Sequence, residues 1–234
     1  MWHRESDTVA TSYTYAEAIT IQITSNIPVI DFVTDSYPII RYISDSVATS
    51  GSGPSNTSII NSYWYNNVIK FNYSSSLLSD IGIKSNDEIT AILFKITEAP
   101  SSAARPFKNY QIAYKNSSIS ADTNPGNSGW IVVRQASDWN FLGSSTGDMS
   151  YEVGTLEDPI IYTGGTLSFS FGWGKHTYPN YGNDGETTVF YPDSTLAKMW
   201  YLQNDDGSGA YNSGTSAIYT RSYVPVLGFK LGKK

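Results

Sequence analysis

Two short serine motifs are the first places in this 234-residue sequence where a nucleophile could act. Residues 143–147, GSSTG, fit the G-x-S-x-G pattern with Ser145 as the nucleophile. That pattern needs a helix after the serine, whereas the following DMSYEVG is typical of a strand. Residues 126–129, GNSG, are similar to the serine segment of chymotrypsin-like proteases, whose histidine lies well upstream. Only His3 precedes this segment, so the sequence favours a turn over a protease site.

Acidic side chains are the second source of possible chemistry. A pair of carboxylates at a suitable separation cleaves glycosidic bonds. The candidates lie mostly in turn-like sequence, which disfavours a hydrolase: Glu152, Glu157, Asp158, Asp184 and Glu186. Calcium is a weak possibility at Asp184/Glu186 or Asp205/Asp206, but neither pair follows the spaced pattern of a dedicated loop. Ordinary turn use of these aspartates is favoured, and we expect no cofactor.

Composition excludes several further classes of site and partner. The chain has no cysteine and two histidines, which leaves no thiolate site and disfavours a catalytic zinc. The net charge of −6 provides no electrostatic footprint for nucleic acid. No apolar run approaches the ~18 residues that span a membrane, and no secretory signal is visible. We therefore expect no enzymatic activity, no nucleic-acid partner and no membrane partner.

Aromatic residues are the strongest remaining signal, above all in residues 164–191, GGTLSFSFGWGKHTYPNYGNDGETTVFY. The first part alternates strictly, which predicts a strand with one buried face. The part that follows is rich in aromatic residues, Gly and Asn, and predicts a long loop. Exposed Tyr and Trp side chains stack on sugars and anchor protein interfaces. We predict a contact loop with these contact residues: Trp173, His176, Tyr178, Tyr181 and Asp184.

The elements that must position this loop are strands. Charged residues make up 15 % of the chain, and its polarity comes instead from Ser, Thr, Asn, Gly and 18 Tyr, which suit pleated strands and turns. Turn sequences such as NPGNSG, GTLEDP and NDDGSG separate the alternating runs. Residues 75–83 predict a helical turn. Strands are predicted at 62–73, 88–97, 110–115, 130–135, 148–153, 166–173, 186–191, 198–202, 216–221 and 224–230. The fold class predicted is all-β, an antiparallel β-sandwich of jelly-roll type.

A Gly/Ser/Pro-rich stretch, residues 46–58, is the one plausible internal boundary. Residues 1–58 are predicted to form a β-rich arm or extra strands, and residues 59–234 the sandwich. The arm contains apolar alternation at Ile19, Ile21 and Ile23, so it must bury surface somewhere. Burial against the sandwich would make a monomer. We expect burial against a neighbouring subunit by strand addition, and hence a symmetric homo-oligomer.

From about Tyr63 to Phe229 the order of motifs resembles a jelly-roll-like module. The matching segments are FNYSSSLLSDIG with ITAILFKI, then YQIAYKNSS, DPIIYTGGTLSFSFGW and the closing MWYLQNDDGSGAYNSGTSAIYTRSYVPVLGFK. Thr166 stands where the module has an asparagine. The module occurs in secreted, type IX-sorted bacterial surface proteins and in virion proteins of tailed phages. The resemblance implies a scaffold or binding role and brings no catalytic residues.

Two functional classes follow from these observations. The first is a virion structural protein of a tailed phage: a capsid-decorating, fibre or tail-associated component that contacts itself or other virion proteins. Phage assembly takes place in the host cytosol, so such a protein needs no signal peptide. The second is an exported bacterial adhesin or carbohydrate-binding module that contacts glycans outside the cell or at its surface.

Overall fold

The computed structural model describes residues 9–14, 17–22, 39–43, 66–96, 107–118, 125–139, 149–174, 190–192, 199–204, 211–221 and 223–232. The chain divides into two compact units, residues 1–39 with 233–234 and residues 40–232. In the first unit, β1 (Val9–Thr14) and β2 (Glu17–Gln22) pair antiparallel, with Val9 opposite Gln22 and Thr14 opposite Glu17. This hairpin lies within the range predicted as the arm.

The second unit contains one short helix, α1 (Ser75–Asp80), among its described residues. Its strands are, in chain order, β3 (Ile40–Tyr42), β4 (Asn66–Tyr73), β5 (Glu88–Ile96), β6 (Phe107–Ser117), β7 (Ile131–Trp139), β8 (Met149–Ile161), β9 (Thr166–Trp173), β10 (Phe190–Pro192), β11 (Met199–Asn204), β12 (Tyr219–Arg221), β13 (Tyr223–Pro225) and β14 (Leu227–Leu231).

These strands form two main antiparallel sheets, packed against each other. The six-stranded sheet has the order β12-β11-β4-β9-β6-β7, and the four-stranded sheet has the order β3-β14-β5-β8. We count β3 to β9 as strands one to seven and β14 as strand eight. The four-stranded sheet then has the order 1-8-3-6, and the four central strands β4-β9-β6-β7 of the six-stranded sheet have the order 2-7-4-5. This is the strand order of a jelly roll, so the predicted fold class is confirmed. Strands β11 and β12 extend the larger sheet, and β10 pairs with β13 separately.

Aromatic rings fill the space between the sheets. Phe71 on β4 stacks on Phe171 of β9 with ring centroids 5.6 Å apart. Tyr73 contacts Phe229 of the opposite sheet edge-to-face at 5.9 Å. Every second residue of β9 faces this core, because successive strand side chains point to opposite faces. The alternation that predicted residues 166–173 as a strand is therefore confirmed.

Helix α1 begins where the sequence predicted a helical turn. The hydroxyl of Ser74 caps the helix by accepting a hydrogen bond from the backbone N–H of Leu77 at 3.3 Å. Leu78 is the buried residue of the helix and anchors it on the core. The helix ends at Asp80, and Gly82 follows with φ +81°, a left-handed conformation that favours glycine.

Several segments differ from the sequence prediction. Residues 224–230, predicted as one strand, divide between β13 and β14, which pair with β10 and β5 respectively. Residues 40–42, assigned to the arm, form the edge strand β3 and pair with β14, with Tyr42 opposite Gly228. A side chain at residue 228 would overlap the Tyr42 ring, so glycine makes this pairing possible. Strand β8 runs through GTLEDP, predicted as a turn. Pro159 is tolerated there because β8 is an outer strand of its sheet. Residues 46–58, the predicted boundary, lie outside the described residues.

Candidate functional site

The predicted contact loop lies largely outside the described residues, which include Trp173 but not His176, Tyr178, Tyr181 or Asp184. Trp173 is wrong as a contact residue, because its exposed fraction is 0 %. Its ring contacts Phe107 edge-to-face at 5.2 Å and stacks on Tyr110 at 6.4 Å. It continues the inward alternation of β9 and belongs to the core.

The described part of the chain does not bring the candidate catalytic residues together. Ser128 of the GNSG segment is exposed, and neither histidine lies within the described ranges. Ser145, Asp184, Glu186, Asp205 and Asp206 fall outside them as well. Among the described residues, no group of three His, Cys, Asp or Glu side chains could hold a metal ion.

An exposed patch that the sequence did not single out lies at the β12 edge of the six-stranded sheet. Ile218 is 64 % exposed and Tyr219 is 52 % exposed. The Tyr219 ring leans on the largely buried Tyr201 ring, with centroids 5.4 Å apart. The guanidinium carbon of Arg221 lies 5.0 Å from the centre of the Tyr201 ring, within cation–π range. We call Ile218, Tyr219, Arg221 and Tyr201 the edge patch.

The sheet itself positions the edge patch. Tyr219 pairs with Tyr201 across the β11–β12 ladder, and the backbone N–H of Ile218 donates to the carbonyl of Tyr201 at 3.2 Å. Strand β12 is outermost in its sheet, and no other described strand pairs with the far side of its backbone. Tyr and Arg are the residue types most enriched at the energetic centres of protein interfaces. The patch therefore has the composition of a contact surface.

A second cluster lies on the opposite, outer face of the same sheet. Lys70 on β4 is 2 % exposed, and its ammonium donates to the carbonyl of Gly126 at 3.0 Å and to Oδ1 of Asn127 at 2.8 Å. The Trp130 ring centre lies 5.5 Å from the same Nζ atom. Burial, together with the nearby charge of Lys115, lowers the pKa of Lys70 to about 8.

Strand register places polar neighbours around Lys70. Ser170 on β9 pairs with Lys70 on one side and with Ala113 of β6 on the other. One step along, Ser168 lies between Asn72 and Lys115 in the same way. We call Lys70, Lys115, Ser168 and Ser170 the lysine layer.

Two loop segments cover this outer face. The ammonium of Lys115 donates to the carbonyl of Pro125 at 2.9 Å, so both lysines hold residues 125–130 against the sheet. Segment 211–216 lies beside them: its Ser213 N–H donates to Gln111 at 3.1 Å. Nδ2 of Asn127 donates to Oγ of Ser216 at 2.7 Å and joins the two segments.

A lysine of lowered pKa is in general a candidate nucleophile. Lys70 is buried, however, and two acceptors hold its ammonium. Its evident structural effect is to fasten residues 125–130 to the sheet. The sequence signal for this site is one charged residue inside the apolar, alternating run VIKFNY, and it does not reveal what covers the lysine.

Comparisons with known proteins give little guidance. No family model matches the chain, and no solved structure matches it. A polyadenylate-binding protein of Arabidopsis thaliana, RBP47B', is 30 % identical over 98 residues, which is 42 % of this chain and 21 % of that protein. The matched part thus spans about a fifth of that relative, and it does not show a family. No helix in the described part of the chain is long and apolar enough to cross a membrane.

Proposed function

We propose that this protein is a non-enzymatic structural component of a tailed-phage virion, a capsid-decorating, fibre or tail-associated protein, that acts through protein–protein contacts. The jelly-roll fold is compatible with this role, since viral capsid and lectin domains share it. A fold alone does not define a function, so the support must come from a site. The observation that carries the proposal is the edge patch.

The chemistry of the edge patch favours a protein partner. Ile218 offers exposed aliphatic surface and no hydrogen bond, which suits an apolar interface better than a sugar hydroxyl. Tyr219 and Arg221 supply the aromatic and guanidinium groups typical of interface hot spots. A second strand can also add to the open side of β12, because an outer strand offers backbone N–H and C=O groups for pairing.

The partner to which we commit is a second copy of this chain. Virion proteins of this kind act in symmetric arrays, and most soluble oligomers are symmetric homo-oligomers. An antiparallel pairing of one β12 edge with another is self-complementary, so one patch serves both subunits. Contacts with other virion proteins then add to this self-association.

The second candidate function is an exported adhesin or carbohydrate-binding module. The exposed Tyr219 ring favours it, because such rings stack on sugars. We do not propose polyadenylate binding, which the name of the Arabidopsis protein states, since a net charge of −6 provides no basic surface for phosphates.

Sedimentation equilibrium of the full chain tests the contact. We expect the wild type to form a multimer and the Ile218→Ser/Tyr219→Ser variant to associate at least about tenfold more weakly, a change of about 1.4 kcal/mol. Ile161→Ser is the matched control, because Ile161 is 46 % exposed but lies on β8, away from the patch in the strand order. Its association should equal that of the wild type.

A wild type that remains monomeric at high concentration would refute self-association through the edge patch. So would a double variant that associates as tightly as the wild type. A glycan array decides the second candidate: sugar binding that Tyr219→Ser abolishes would favour the adhesin over the virion protein.

A further inference from the structure

The lysine layer carries two positive charges side by side. The ammonium groups of Lys70 and Lys115 donate to the carbonyls of Gly126 and Pro125, which are consecutive residues. These acceptors are neutral and cannot compensate a net charge. Among the described residues, no carboxylate forms an ion pair with either lysine. A buried ammonium next to another one is costly unless an anion accompanies it.

Two hydroxyl groups on the same sheet face have no hydrogen-bond partner in the described part of the chain. Ser168 and Ser170 are each 1 % exposed, and neither Oγ atom has a hydrogen-bond partner among the described residues. Buried polar groups in native proteins are almost always hydrogen-bonded. Ser170 is the cross-strand neighbour of Lys70, and Ser168 is that of Lys115, so the unused donors adjoin the two charges.

We infer that the lysine layer is a binding site for a small oxyanion, such as phosphate, sulfate or a carboxylate group, held between Lys70 and Lys115. Ammonium groups and hydroxyls are the donors that such anions accept from. The floor of the site is built from small residues, Ser168, Ser170 and Ala113. Residues 125–130 form the roof.

Entry of the ligand requires residues 125–130 to move, because they cover both lysines. One side-chain hydrogen bond, from Asn127 to Ser216, joins the roof to segment 211–216, and it lies at the protein surface. The two lysine–carbonyl bonds hold the roof from below, and an oxyanion can compete for both ammonium groups. This site is distinct from the edge patch, whose Tyr201 and Tyr219 rings lie on the other face of the sheet from Lys70, and does not depend on the virion role.

Binding should weaken as the pH rises through about 8, where Lys70 loses its proton. The ionisable group that faces Lys70 from β6 is Lys115. The paired residues of β9 and β11 are Ser170 and Trp200, which carry no charge. Residues 125–130 of the roof carry no ionisable side chain, and Tyr211 is the one ionisable residue of segment 211–216.

Isothermal titration calorimetry with sodium phosphate, sulfate and acetate tests the site, at an ionic strength fixed with chloride. We expect the wild type to bind at least one of these anions. Lys70→Met and Ser168→Ala/Ser170→Ala should each bind it at least about tenfold more weakly. Lys84→Met is the matched control, because Lys84 is an exposed lysine outside the layer, and its affinity should be unchanged. If Lys70→Met fails to fold, the serine variant decides.

Three results would overturn the inference. The first is the absence of binding heat for all three anions, which would leave buried water as the partner of the serines. The second is wild-type affinity in both the serine variant and Lys70→Met. The third concerns Asp122, which lies outside the described residues and three positions before Pro125. If the Asp122→Asn variant binds an anion and the wild type does not, the counter-ion of the two lysines is the Asp122 carboxylate and not a bound oxyanion.

Discussion

Lys70 and Ser170 face each other across the β4–β9 ladder, and both are buried on the outer face of the six-stranded sheet. The outer face of a sandwich is commonly solvated and polar. Here residues 125–130 and 211–216 cover it, so the protein has a buried polar layer in addition to its aromatic core. The free energy of unfolding therefore depends on the charge of one lysine.

The first prediction concerns alkaline pH. The pKa of Lys70 is about 8 in the folded protein, below the ordinary lysine value of about 10.4, so between these values the unfolded chain binds more protons than the folded one. The free energy of unfolding should rise with pH across this window and lose that gain as the pH falls through about 8. Urea unfolding in chloride buffers measures it. Lys70→Met should abolish the rise, and an identical profile in that variant would contradict the assignment.

Above this window the tyrosines should reverse the trend. Burial raises the pKa values of Tyr73, Tyr110 and Tyr162, so these hydroxyls stay protonated in the folded protein when the unfolded chain ionises near pH 10. The folded protein then binds more protons, and its stability falls. The same titration should therefore show a maximum between about pH 8 and 10.

A second prediction concerns the hydroxyl of Tyr73. It is fully buried and donates to the carbonyl of Pro225 at 2.7 Å. Tyr73→Phe leaves that carbonyl without this donor and should lower the free energy of unfolding by about 1–3 kcal/mol. Tyr219→Phe, at an exposed ring, should change it by less than about 0.5 kcal/mol. Equal effects of the two substitutions in urea unfolding would argue against the Tyr73 bond.

The third prediction tests the packing of segment 211–216 on the sheet. At Gly172 a Cβ atom would fall on the backbone carbonyl of Tyr211, which cannot move without shifting the segment. Gly172→Ala should therefore cost about 1–3 kcal/mol of unfolding free energy. At Gly214 the nearest atom is Oδ1 of Asn212, 3.2 Å away at the end of a movable side chain. Gly214→Ala should be close to neutral, and a neutral Gly172→Ala would mean that the segment does not pack as described.

The fourth prediction concerns the contact loop. If Tyr178 and Tyr181 are contact residues, replacing both with Ala should change the free energy of unfolding by no more than about 0.5 kcal/mol per site. Multimer or sugar binding should fall. Trp173→Ala, in the core, should instead cost about 3–5 kcal/mol. Thermal unfolding and sedimentation of the three proteins separate these effects. A large stability loss with binding intact would make the two tyrosines core residues.

The sequence predicted those parts of the fold that depend on local pattern. Strand β9 was predicted at its observed bounds, because alternate residues such as Phe169 and Phe171 all enter the core. A helical turn was predicted at residues 75–83, and helix α1 occupies the first part of that range. The alternating run that contains β3 was assigned to the arm, because its partner β14 lies at the other end of the chain and local pattern cannot show that pairing. Pro159 suggested a turn because the openness of the β8 edge is a property of the whole sheet.

Neither cluster at the surface of the six-stranded sheet was predicted, and the reason is the same for both. From the sequence pattern, Lys70 is an ordinary strand residue that points outward. Its burial results from residues 125–130, which are distant in sequence. From the sequence pattern, Tyr219 cannot be told apart from the aromatic strand residues that fill the core. Its exposure results from the position of β12 at the end of the strand order. Trp173 was mistaken for a contact residue because it stands at the border between a core strand and an aromatic loop.

Quantitative peptide mass spectrometry of particles purified on a density gradient tests the virion role most directly. We predict that this chain co-sediments with the particles, in a constant ratio to the major capsid protein across the gradient. The Ile218→Ser/Tyr219→Ser variant should be depleted from them and Ile161→Ser should not. Particles that lack the chain, with the protein recovered from the cell envelope or the culture medium instead, would contradict a structural role in the virion.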